Sequence, residues 1–287
     1  MTTETLGPTL AASIVGTTAG PLTQRIDRRW LMAYNAALSD APPRPVAHPL
    51  FAVCYEWPVA VTLRERAVGR AIAPLSVHAS HDLVIHRPAR ADDELTTTAV
   101  ITDVVPRPSG ALVLMRFDTV DGDHRPVTTT TYGSLYRGVR VIGDSRSAGA
   151  PVSTSARAAS TRGDDSSVPH EWSETVQVAA HAAHVYTECA RIWNPIHTDP
   201  AVARAAGLPG TILHGTATLA LCVSQILERE LDSDPTRVRG VRARFTGMVP
   251  LPSTFVVRCG ARREHDITFD AVGPDGAIIL REGAVSI

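Results

Sequence analysis

The chain has 287 residues, a formal net charge of −1 and 44% hydrophobic residues, with only 5% aromatics. Its balanced charge supplies no field to recruit nucleic acid or an anionic membrane, and no apolar run reaches the ~20 residues a membrane span requires. Glu4 and Pro8, with no basic-then-apolar start, argue against a signal peptide; Cys54, Cys189, Cys222 and Cys259 show neither CxxC nor zinc spacing. These features predict a cytoplasmic protein with reduced thiols and no metal.

In chain order, "RRWLMAYNAALSD" reads as a helix, Pro-rich "APPRPVAHPL" as a break, and "FAVCYEWPVAVTLRERA" as a second, more apolar helix. Four β-rich runs follow, "LSVHASHDLVIHRP", "DELTTTAVITDVV", "GALVLMRFDTVDG" and "PVTTTTYGSLYRGVR", separated by Pro, Gly and Asp. Residues 143–169, rich in Ser, Ala and Arg and without periodicity, read as a flexible linker. The order then repeats. "AHAAHVYTECARIW" is helical, "TATLALCVSQILERELD" is a long apolar helix, and "RVRGVRARFTGMV", "STFVVRCGARRE", "DITFDAVG" and "AIILREGAVSI" are strands. Thr216 to Leu227 carries no charge, as expected of a helix enclosed by a curled sheet. The expected fold class is α+β, a duplicated helix-in-sheet unit, divided at 1–142, 143–169 and 170–287.

Between the two helices of the second half lies "NPIHTDP", Asn194 to Pro200. Asn194-Pro195 is expected to end the preceding helix, and Thr198, Asp199 and Pro200 to start a short one. His197 is thereby mounted on a loop pinned at both ends, as a catalytic side chain requires; a histidine that only satisfies loop backbone groups fits equally well. Further on, His214-Gly215 opens the long helix. The first N–H groups of such a helix are unpaired and carry the positive end of its dipole. Gly215, lacking Cβ, lets a ligand oxygen come close enough to be polarised.

The stretch "IWNPIHTDPAVARAAGLPGTILHGTATLAL" resembles the hydratase motif of the MaoC-like family, the (R)-specific enoyl-CoA hydratases and dehydratases of hot-dog fold. The specific match covers about thirty residues; the rest of the chain resembles the double hot-dog members, whose N-terminal half is a degenerate copy. The resemblance implies a double hot-dog, an acyl thioester substrate carried by CoA or a carrier protein, no cofactor, and a homodimer through sheet edges. It implies His197 as acid–base group, Gly215 as the carbonyl-polarising donor, Asn194 as a loop-fixing residue, and His214 and Thr216 as neighbours of the substrate. It also aligns His48-Pro49 of "HPLFAVCYEWP" with His214-Gly215.

One position departs from the family pattern. The motif aspartate that works with the histidine is here Ile192, which can neither accept a proton nor hold a water. Loss of an acid–base partner typically removes roughly 10²–10⁴-fold of rate. Three readings stay open: a substitute acid, His197 acting alone in a repurposed reaction (isomerisation, elimination or cyclisation, as in secondary metabolism), or an acyl-thioester binding module. Glu56, in the apolar helix of the first half, is the leading substitute, since a carboxylate there is costly unless partnered or functional; Asp40 and Glu188 are lesser candidates.

Arg242 and Arg244 in "RVRGVRARF" share a strand face and are expected to meet the phosphates of the thioester carrier. His78, His81 and His86, spaced by three and five, are expected on no single strand face, which argues against a metal site. No Gly-rich nucleotide loop and no Gly-x-Ser-x-Gly elbow is present, and the basic strand lacks the interleaved aromatics of a nucleic-acid binder.

Overall fold

A computed structural model of the chain describes residues 7–38, 45–143 and 170–287. Asp40 and the run read as a linker, apart from Gly143, lie outside the described residues. The first half contains β1 (Thr9–Ala11), β2 (Thr18–Arg25), α1 (Arg28–Ala37), α2 (Ala52–Ala67), β3 (Ser76–Ile85), β4 (Glu94–Arg107), β5 (Gly110–Val120), β6 (Pro126–Arg137) and β7 (Arg140–Ile142). The second contains β8 (His170–Val178), α3 (Ala182–Ala190), α4 (Pro200–Ala205), α5 (Gly215–Glu230), β9 (Gly240–Phe245), β10 (Ser253–Arg262), β11 (Asp266–Val272) and β12 (Ile278–Ser286).

All of these strands except β1 and β7, which pair with each other, join one ten-stranded sheet in the order β2-β4-β5-β6-β3-β9-β12-β11-β10-β8. From the β3–β9 seam outwards, 3-6-5-4-2 on one side matches 9-12-11-10-8 on the other, so the chain is two copies of one unit joined edge to edge. The seam is an antiparallel ladder from Ser80↔Arg244 to Val84↔Gly240. The outermost strands, β2 and β8, were not anticipated from the sequence. Each has a single neighbour in the sheet.

Each unit wraps a helix, α2 in the first and α5 in the second. Ten residues of α5 between Thr216 and Leu227 are buried, and its charged residues come only at its C-terminal end. The entries to the two helices match closely. His48 (φ −56°, ψ 143°) and His214 (φ −58°, ψ 136°) each occupy the position before the first turn. The residues that follow differ in consequence, because Pro49 has no N–H to offer where Gly215 does. In the first unit the corresponding space is filled by Phe51 and Tyr55, leaving a void of about 10 Å³, no more than a single water needs.

Candidate active site

The larger cavity, about 120 Å³, lies between the units. The second unit contributes His197, His214, Gly215 and Thr216 to its wall, and the first contributes Glu56 from α2.

His197 ends a 3₁₀ turn, Pro195–His197, entered from Asn194 in extended conformation. The turn is fixed by its own backbone: the amides of His197 and Asp199 donate to the carbonyls of Asn194 (3.2 Å) and Pro195 (2.8 Å). Asp199 then caps α4 by accepting from the amides of Ala201 (2.7 Å) and Val202 (3.3 Å). Gly207, at φ +76°, lies just beyond the end of α4, where its amide donates to the Arg204 carbonyl. The preceding helix, α3, stops earlier than Asn194-Pro195 requires, at Arg191, which adopts a left-handed conformation (φ 57°). Asn194 therefore holds the loop through its carbonyl, while its side chain caps nothing and lines the cavity.

The imidazole of His197 sits 2.9 Å from the Ile212 carbonyl through Nδ1. A carbonyl only accepts, so Nδ1 carries the proton and Nε2 presents a lone pair. Burial lowers its pKa to about 4, against the opposing pull of the Ile212 carbonyl. Its ring stacks on His214 at 3.7 Å. Burial and the neighbouring His197 hold His214 well below the usual imidazole range, so both rings are neutral at pH 7. His214 is seated by the Thr187 hydroxyl at 3.3 Å and forms a floor under His197.

The first turn of α5 points its amides at the same space, and His214 supplies no side-chain cap to them. A Cβ on Gly215 would meet the Phe245 ring at 3.2 Å and the His78 Cβ at 3.5 Å; the absence of a side chain lets β3 and β9 pack closely against the start of α5. Thr216, next in the turn, accepts a hydrogen bond from the Tyr186 hydroxyl at 3.1 Å, and Tyr186 in turn contacts the Tyr34 hydroxyl of α1 at 3.5 Å.

Ile192, at the motif-aspartate position, is buried in the cavity wall. Glu56 is the buried carboxylate of that wall. The Thr130 hydroxyl donates to its Oε1 at 2.6 Å. Burial raises its pKa to about 8, against that hydrogen bond and with a further push from Asp118. Glu188, in contrast, is exposed on α3 and away from the cavity.

Two expectations need correction. Arg242 and Arg244 do share a face of β9, but it is the outer one. Val241 and Ala243 are buried on the inner face and Phe245 reaches Gly215 from there, so the alternation turns both arginines away from the cavity. Arg242 pairs with Asp266 at 3.1 Å and Arg244 with Glu282 at 3.8 Å. The histidines of β3 also depart from a regular strand. The pairing register shifts between His78 and Ser80, and this bulge brings the rings of His78 and His81 within 5.5 Å of each other. Among the described residues no group of three metal-ligating side chains is gathered, and no helix is long and apolar enough to cross a membrane.

The arrangement missed by the sequence reading is the inner face of β6. Thr128, Thr130, Tyr132, Ser134 and Tyr136, at every second residue, turn toward α2; Tyr132 and Ser134 line the cavity, as does Arg64 of α2. The alternating polar pattern of "TTTTYGSLY" was visible, but only the neighbouring helix identifies that face as interior.

Two helix-wrapping units fused through one sheet, with a buried helix N-terminus facing a histidine loop, define a double hot-dog protein. Residues 168–271 match the MaoC like domain and residues 13–130 the FAS1-like dehydratase domain region; each half of the chain thus resembles a dehydratase domain, and the matches support an enzyme of the hydro-lyase kind. A Dictyostelium discoideum protein named "Probable enoyl-CoA hydratase 2" is 24% identical over 213 residues, 74% of this chain and 69% of its own. An enoyl-CoA hydratase of Mycobacterium tuberculosis is 38% identical over 89 residues, covering 30% of this chain and 31% of that one. The crystal structure of a MaoC-like dehydratase from Phytophthora capsici has the same fold, with a TM-score of 0.78 at 19% identity over 96% of both chains.

Proposed function

We propose that the protein adds water across the α,β double bond of an enoyl thioester, or removes it from the 3-hydroxyacyl thioester, using His197 and Glu56 as its acid–base pair. The thioester carbonyl binds against the first-turn amides of α5, with the Gly215 N–H as principal donor, where the helix dipole favours the developing enolate oxygen. Neutral His197, with Nδ1–H held by Ile212, takes a proton from water through Nε2 as the oxygen attacks Cβ. Protonated Glu56 then delivers a proton to Cα. Two groups with pKa values driven in opposite directions form a natural base and acid. Dehydration is the same path reversed and requires the same single proton shared by the pair.

The observation that carries this reading is the presence of His197, Glu56 and the N-terminus of α5 in the wall of one cavity. Glu56 thus takes over from the second helix the role that Ile192 cannot fill. The relatives named as enoyl-CoA hydratases support a CoA thioester substrate. The test is hydration of crotonyl-CoA and longer enoyl-CoA thioesters by wild type, His197→Ala and Glu56→Gln. Loss with both variants supports the pair; loss with His197→Ala alone supports a single-base reaction.

A further inference from the structure

The half of the cavity contributed by the first unit is unlike an ordinary acyl pocket. Glu56, Ala60 and Arg64 succeed one another at four-residue spacing along α2 and all three line it. Arg64 lies opposite β6. Its guanidinium rests over the rings of Trp57 (5.0 Å) and Tyr132 (5.4 Å) and beside the hydroxyls of Tyr132 and Tyr136. None of the ion pairs among the described residues involves Arg64, in contrast to Arg242, Arg244 and Arg258. Its Nε–H is sealed from solvent without an acceptor. His78 is clamped between the rings of Tyr132 (3.8 Å) and Phe245 (4.1 Å). A planar cation resting over two aromatic rings, with no ion-pair partner and a buried donor left over, has the chemistry of a carboxylate subsite.

We propose that Arg64 receives a carboxylate at the far end of the acyl chain, so that the substrate is the monothioester of a dicarboxylic acid. Resting on the hydro-lyase reading above, this names the substrate class of the same site. Eight residues separate Glu56 from Arg64, about 12 Å along a helix, so a chain of roughly ten carbons spans from the reacting bond to the guanidinium. A neutral chain end would leave the cation uncompensated. The phosphates of a thioester carrier are the other source of negative charge. The sealed Nε and the aromatic surround favour the acyl end, since a carrier phosphate stays near solvent.

The test compares binding of decanedioyl-CoA and decanoyl-CoA by calorimetry, and of the same two acyl groups as N-acetylcysteamine thioesters, which have no phosphate. The wild type is expected to bind the diacid form about tenfold more tightly in both series. Arg64→Met should bring that ratio to about one, and Arg64→Lys should retain part of it. A wild-type ratio of one or less in both series overturns the proposal, as does a preference that survives Arg64→Met. If Arg64→Met weakens both CoA thioesters and neither N-acetylcysteamine thioester, Arg64 serves a phosphate and the proposal fails. These saturated ligands need no turnover. Hydration of dec-2-enoyl-CoA by the same preparation reports separately on the reaction itself.

Discussion

Glu56→Gln offers a measurement in which stability and activity should move in opposite directions. A carboxyl ordinarily near 4.5 and held at about 8 in the folded protein corresponds to roughly 5 kcal/mol of differential interaction between its two protonation states. Between those two pH values the unfolded chain has released this proton and the folded chain keeps it. Stability therefore falls as pH rises through the window, by about 1.4 kcal/mol per pH unit for this group, and levels off above about 8. Glutamine is nearly isosteric, cannot ionise and still accepts from Thr130. The variant should match the wild type near pH 4.5 and exceed it by several kcal/mol near pH 8, read by denaturant unfolding across that range. Hydration activity should fall by roughly 10²–10⁴-fold in the same protein. A variant whose stability tracks the wild type at every pH would refute the buried neutral carboxyl. One that keeps full activity would remove Glu56 from the chemistry.

Other outcomes follow from the same geometry. His197→Ala should lower kcat by roughly 10²–10⁴-fold with little change in thermal midpoint, measured on enoyl-CoA hydration. The pH profile of kcat/KM should be bell-shaped, falling below about 4 as His197 gains a proton and above about 8 as Glu56 loses one; the alkaline limb should vanish in the residual activity of Glu56→Gln. Gly215→Ala sets a methyl 3.2 Å from the Phe245 ring and beside the carbonyl-binding amide, so kcat/KM should drop by about tenfold or more. Arg242→Ala and Arg244→Ala, on the outer face, should leave KM for CoA thioesters within about twofold, since exposed ion pairs contribute little.

Much of the architecture was legible because the duplicated pattern is strong. A largely apolar helix followed by four β-rich runs, twice over, leaves few arrangements other than a sheet around each helix. The edge strands were not legible for a physical reason. β2 is "TAGPLTQR", with a Gly-Pro pair and little apolar alternation, and β8 follows directly on a polar run. For Arg242 and Arg244, the sequence states that they share a face. Only the burial of Val241 and Ala243 decides which face that is. The bulge between His78 and Ser80 left no trace in residue type, because it is a product of pairing with β6. Arg64 was hidden for a related reason: its place in the cavity depends on Tyr132 and Tyr136, about seventy residues later in the chain.

The two copies have grown into each other. A single apolar interior includes Trp30, Phe51 and Tyr55 from one and Tyr186, Ile192 and Leu213 from the other, and Arg191 of the second copy reaches across to Asp27 of the first. A shared interior of this kind works as a ratchet: with it in place, neither unit can be deleted without laying bare its sibling. The unit whose buried helix is entered through Pro49 has no amide to offer at that place, and its helix instead supplies part of the wall of its twin's cavity.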